Sequence, residues 1–141
     1  MKSIKFISFL ISVTMFFNGF CQGQDSTTDR QVVKMLKAFY VSYITENSKM
    51  PVNIKSVVAI RKKYCTANFI NKIEKQELDY DLILNAQDCD LEWLKTLSVT
   101  KDTKRSYTYV VSYIDNYSKK RNTINLVVVK EKEVFKVSSI F

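Results

Sequence analysis

The chain has 141 residues, 46% of them apolar, with a formal charge of +8, two glycines, one proline and no histidine. So apolar a composition, so poor in Gly and Pro, excludes a disordered or collagen-like chain and provides for a packed core. The absence of histidine removes histidine-based triads, the commonest general bases and most zinc sites.

Lys2 and Lys5 lead into an apolar run from Phe6 to Phe17, after which Asn18-Gly19 breaks the pattern. A short cationic segment before about a dozen apolar residues has the form of a secretory signal peptide, and it is too short to span a bilayer stably. Residues 1–23 are therefore expected to be a signal peptide rather than an uncleaved anchor, and residues 24–141 a single domain. Cys21-Gln22-Gly23 offers small residues on either side of Gln22 for cleavage before Gln24. Lipoprotein processing would cut before Cys21 and acylate its sulfur, but Phe20 stands where that processing needs a small residue. The expected location is periplasmic or secreted. An outer-membrane lipoprotein is the alternative, with a lipid anchor only if Cys21 is acylated.

Loss of Lys2 and Lys5 lowers the formal charge from +8 to +6. A basic surface attracts anionic partners, but an exported address makes nucleic acid an unexpected one. Arg61-Lys62-Lys63, Lys104-Arg105 and Lys119-Lys120-Arg121 each fall at a helix end or turn, where solvation and the helix dipole account for them. Cys65 and Cys89 remain in the mature chain. An even pair in an oxidising compartment predicts a disulfide worth roughly 3 kcal/mol, with two free thiols as the alternative.

Thr28-Asp29-Arg30-Gln31 matches a capping box, and Val32, Leu36, Phe39, Tyr40, Tyr43 and Ile44 follow at helical spacing, predicting a helix over 29–47. Pro51 ends that region. Asn53 is the expected cap of a second helix, 54–65, with Ile54, Val57, Val58 and Tyr64 on one side. Thr66 is the expected cap of a third, 67–78, carrying Phe69, Ile70 and Ile73. A polar loop follows, with Asp90 capping a short turn that bears Trp93 and Leu94. From Leu97 the period becomes two: Tyr107, Tyr109, Val111 and Tyr113 alternate with Ser106, Thr108, Val110 and Ser112. A polar turn at 115–121 leads to a strand over 122–130, and a last strand covers 134–141. The final three strands are expected to form an antiparallel meander.

Helices followed by strands predict an α+β fold: three N-terminal helices packed on one face of a curved antiparallel sheet. This order resembles the cone-shaped nuclear transport factor 2-like (cystatin-like) fold. Asp79-Tyr80-Asp81, Asn85-Ala86-Gln87-Asp88 and Glu92-Trp93-Leu94-Lys95-Thr96-Leu97 resemble a family of small exported bacterial proteins known as a domain of unknown function. The likeness covers roughly 30–141, and Phe135-Lys136-Val137 stands where such proteins end in a Trp-Lys-Ile-like strand. The resemblance implies a fold and an exported location, and no reaction.

Asp88 with Tyr107, Tyr109 and Tyr113 offers an acid and phenols of the kind that pocket enzymes use. Aromatics alternating on a strand are more often core, however, and no catalytic residue is assigned. Asp79, Asp81, Asn85, Asp88 and Asp90 offer oxygen ligands for a hard cation, but without the Gly and terminal Glu of a calcium loop, so neither a metal nor a cofactor is expected. Asp81 and Asp88 are expected to bond backbone amides and hold the loop, leaving Asn85, Gln87 and Trp93 as exposed recognition residues. The expected function is a non-enzymatic binding module for an unknown small ligand or exported protein, using the cone pocket or the 79–95 loop. The alternative is an immunity or inhibitor protein that occludes a periplasmic toxin or hydrolase; a filled interior favours the inhibitor and an open apolar pocket the small ligand.

Mass spectrometry of the exported protein is expected to find Gln24 at its N-terminus. A diacylglyceryl mass on Cys21 would overturn that expectation.

Overall fold

The computed structural model describes residues 26–141, and the expected leader 1–23, Cys21 included, lies outside them. Helices α1 (Ser26–Asn47), α2 (Ile54–Tyr64) and α3 (Ala67–Lys75) come first, and a five-residue 3-10 turn (Leu91–Lys95) precedes the strands. The strands are β1 (Ser98–Lys101), β2 (Thr108–Ile114), β3 (Arg121–Glu131) and β4 (Val134–Ile140). They form one antiparallel sheet in the order β1-β2-β3-β4. The architecture is α+β, with one strand more in the meander than the three expected.

All six residues of the α1 stripe are buried, because spacings of three and four put them on one side of the helix. In α2 the apolar side is narrower: Val57 is buried, whereas Ile54 is exposed. The expected caps of both shorter helices are in place. Asn53 accepts from the Ser56 N–H at 3.2 Å, and Thr66 Oγ1 from the Phe69 N–H at 3.2 Å. The α2–α3 junction also joins the sheet. Cys65 pairs in parallel with Val137 of β4, and the Thr66 N–H donates to the Val137 carbonyl at 2.9 Å. Helix α3 stops at Lys75, short of 78, where the Gln76 N–H closes back on the Ile73 carbonyl and the chain turns extended.

The buried face of the sheet is set by register. Val99, Val111 and Ile124 lie opposite one another across three strands, as do Tyr109 with Leu126 and Val128 with Val137. Val128, and not its neighbour Val127, therefore joins Phe39, Tyr43, Ile44, Tyr109 and Val111 in one core. Tyr107 departs from the expected alternation. It lies before β2 with φ of 56° and is 62% exposed, because the chain is still completing the turn after β1. Asp102 anchors that turn, taking the Lys104 N–H on its carboxylate at 2.8 Å while its own N–H donates to the Thr108 carbonyl.

Phe39, Tyr40, Tyr43, Tyr109 and Tyr113 are each at most 1% exposed and occupy the space between helices and sheet. Phe39 stacks on Tyr64 with ring centres 5.2 Å apart and meets Tyr40 edge-on at 5.2 Å. An aromatic interior of this kind contributes through both area and ring geometry. Phe39→Ala is expected to lower the unfolding free energy by about 3–5 kcal/mol in urea denaturation, and a loss below about 1 kcal/mol would contradict the packing.

Candidate functional site

The loop after α3 is held by one carboxylate. Asp81 Oδ1 accepts from the backbone N–H groups of Ile83 at 2.7 Å and Leu84 at 3.2 Å, an Asx-type turn. Its Oδ2 accepts from the Tyr43 hydroxyl at 2.7 Å and from Arg61 at 3.3 Å. Arg61 also donates through Nε to the Tyr43 oxygen at 2.8 Å, so helices α1 and α2 grip the same loop residue. Burial, then the charge of Asp81, raises the Tyr43 pKa far above the ordinary tyrosine value and keeps the phenol a donor.

The next residues are tied from three sides. Tyr40 of α1 donates to the Ile83 carbonyl at 3.0 Å, and Tyr113 of β2 donates to the Leu84 carbonyl at 2.6 Å. Asn122 of β3 donates to the Asn85 carbonyl at 2.9 Å and to the Tyr113 oxygen at 2.7 Å, and its own carbonyl oxygen accepts from the Asn85 amide at 2.9 Å. Asp81 and Ala86 close the loop as an isolated antiparallel bridge. Asn85 stands at its tip with φ of 53°, a left-handed conformation that Asn tolerates better than most residues.

Beyond this tip the segment 85–90 and the β2–β3 turn form two sides of an open cleft of about 600 Å³. Trp93 and Tyr113 contribute to its lining, stacked with ring centres 4.3 Å apart and 18° between planes. The turn is rigidly built. Asp115 accepts from the Ser118 N–H at 2.7 Å, and its backbone exchanges bonds with Lys119 and Lys120. The bonds from Ser118 are the main reason the Asp115 carboxyl titrates below the ordinary range. The Trp93 indole N–H is buried without a hydrogen bond of standard geometry, yet it lies near enough to Asp115 to add to that lowering. The Tyr117 side chain stands clear of the turn, 98% exposed.

The structure divides the residues singled out in the sequence. Asp81 is the loop anchor. Asp88 is not: it is exposed, bonds no backbone amide, and lies on the cleft, because no N–H of the following residues turns back onto its carboxylate. Asn85 and Gln87 are exposed, whereas Trp93 is 3% exposed, since its ring is used against Tyr113. Asp90 caps the 3-10 turn as expected, accepting from the Glu92 N–H at 2.9 Å. The acid and phenols considered as a catalytic set do not converge. Tyr109 donates to Asp29 at 2.7 Å beneath the Lys101 ammonium, Tyr107 lies in the turn after β1, and only Tyr113 shares the cleft with Asp88. Among the described residues no three acids or thiols gather as metal ligands.

The expected Cys65–Cys89 bridge is not formed, and both thiols are free. Cys65 is buried in the junction paired with β4, while Cys89 donates to the Ile44 carbonyl of α1 at 3.5 Å. The even count of cysteines carried no information about these separate anchorages. Burial pushes the Cys65 thiol up to about 12 and, with the acids Asp81 and Asp90 adding, the Cys89 thiol up to about 11. The sequence places Tyr43 in the α1 stripe, Arg61 in a solvated basic cluster and residues 115–121 in a polar turn, and marks none of them, nor Asn122, as a site residue. Arg61 carried a signal nonetheless: it falls four residues after Val57 and three before Tyr64, a cation on the inward side of α2.

No protein-family model matches the chain, and no curated protein is similar to it. The chain is similar in fold to a crystal structure of a protein of unknown function from Bacteroides thetaiotaomicron VPI-5482. That likeness has a TM-score of 0.73 and 23% identity, over 82% of this chain and 92% of the other.

Asp81→Ala is expected to cost roughly 3 kcal/mol in denaturant melts, because it strands Arg61, Tyr43 and two amides at once, whereas Asp88→Ala is expected to stay within about 0.5 kcal/mol. The thiols give a pH dependence. In the unfolded chain they titrate at the ordinary 9.0, so their contribution to stability is complete below that pH and is lost as pH rises through about 11 for Cys89 and about 12 for Cys65. Alkylation by iodoacetamide at pH 8 is accordingly expected to be slower at both thiols than in free cysteine, and slowest at Cys65.

Proposed function

We propose that the chain is an exported, non-enzymatic binding module of the nuclear transport factor 2-like (cystatin-like) fold, acting from the periplasm or outside the cell. The observation that carries this reading is the contrast between a filled interior and an open polar cleft at one end of the sheet. The interior is closed by Phe39, Tyr40, Tyr43, Tyr109 and Tyr113, which supports the 79–95 loop over a cone pocket as the recognition surface. The cleft has the volume of a small-ligand or side-chain site; its Asn85 edge is tied to Asn122 of β3, and residues 81–84, which lead into it, are held by side-chain bonds from α1, α2 and β2. Preorganisation of that kind favours binding, since the loop loses little freedom when it is engaged. The leader, Lys2 and Lys5 before the apolar run, supports the exported location, and the resemblance to small exported bacterial proteins of a domain-of-unknown-function family agrees with it.

The filled interior also favours a second reading, an immunity or inhibitor protein that occludes a periplasmic toxin or hydrolase. The same cleft and its rim would then cover the target.

A pull-down from cell-envelope extract with the protein as bait tests the surface assigned here. Gln87→Ala and Tyr117→Ala are expected to leave the melting temperature within about 2 °C while weakening capture, as exposed contact residues do. Unchanged capture by both variants would move the binding surface elsewhere.

A further inference from the structure

The cleft residues fall into two groups by whether the fold already uses them. Asn85 and Asn122 bond each other, Tyr113 bonds the Leu84 carbonyl, Asp115 is taken by Ser118, and Asp90 caps the 3-10 turn. Arg121 donates to Ser112 at 3.0 Å. Among the described residues Gln87, Asp88, Tyr117 and Lys120 line the same cleft, are exposed, and have no side-chain bond or ion pair. Two of them come from the loop and two from the β2–β3 turn.

From these four free groups we infer that the cleft takes a short peptide segment carrying charges of both signs, an inference that rests on the binding-module reading above. Asp88 and Lys120 are a carboxylate and an ammonium that share a cleft without pairing, so charge complementarity favours a ligand that carries both a cation and an anion. Gln87 presents a carboxamide, whose donor and acceptor match those of a peptide bond. Tyr117 offers an exposed ring and hydroxyl to the chain passing over the turn. A neutral glycan bonds hydroxyls but neutralises neither charge. An apolar ligand finds little to bury against here, because the Trp93 and Tyr113 rings are spent on each other.

Titration of the ¹⁵N-labelled protein with N-acetyl-Lys-Ala-Ala-Glu-amide, its uncharged Gln-Ala-Ala-Gln counterpart and maltotriose tests this by amide shifts. The expected result is saturable shifts at residues 85–90 and 115–121 with the charged peptide alone, weakened about tenfold by Asp88→Asn and by Lys120→Gln and reduced by added salt. Equal binding of the uncharged peptide, binding of maltotriose instead, or insensitivity to both substitutions would overturn the peptide class while leaving the cleft as a binding site. No shift in the cleft with any of the three would overturn the class and count against the binding-module reading as well.

Discussion

The carboxylate of Asp81 is the constraint on which the described domain turns. It accepts four hydrogen bonds, two from the backbone of its own loop and two from side chains on different helices. A partly buried charge is tolerated only where its lone pairs are satisfied and an opposite charge stands near, and Arg61 supplies both conditions. Through this one group the positions of α1, α2 and residues 81–86 become a single geometric problem. An irregular segment with no regular ladder thereby acquires a fixed shape.

The tyrosines extend the same logic to the sheet. Tyr40, Tyr43, Tyr109 and Tyr113 bury their rings in the core, and each hydroxyl finds an acceptor at the edge of it: Ile83, Asp81, Asp29 and Leu84 in turn. Burial raises the pKa of all four, so each remains a neutral donor across the physiological range. Each ring contributes apolar area while its hydroxyl fixes a distant segment. Lys101 completes the arrangement at the far end, 3.8 Å from Asp29 and over the Tyr109 ring. The interior is therefore occupied by the side chains that hold the loops, and the open cleft lies at the sheet end, where the loop tip meets the β2–β3 turn.

What the sequence disclosed follows the range of the interactions involved. The stripe from Val32 to Ile44 and the caps Asn53, Thr66 and Asp90 depend on neighbours within a turn or two, and all stand as their spacing implies. Asp81 and Asp88 look alike in composition, and only the fold separates them: the chain after Asp81 turns back to offer two amides, and the chain after Asp88 does not. Trp93 follows the polar stretch 85–90 and reads as part of its surface, but its partner Tyr113 lies twenty residues away on a strand. Asn122 belongs with the loop only through the register of β2 and β3, which pairs it with Tyr113. The candidate site was legible as a segment, 79–95, and not as a constellation, because its opposite wall comes from a turn that local pattern ties to nothing else.

Amide hydrogen exchange at Ile83 and Leu84 tests the central role of Asp81 most directly. Both N–H groups donate to its carboxylate, and the segment is fastened by Tyr40 and Tyr113 on its carbonyl side. The account predicts exchange at these two amides only through global unfolding, at the same free energy as the central amides of β2 and β3, although they lie outside every helix and strand. Exchange at the rate of an open surface loop would contradict it.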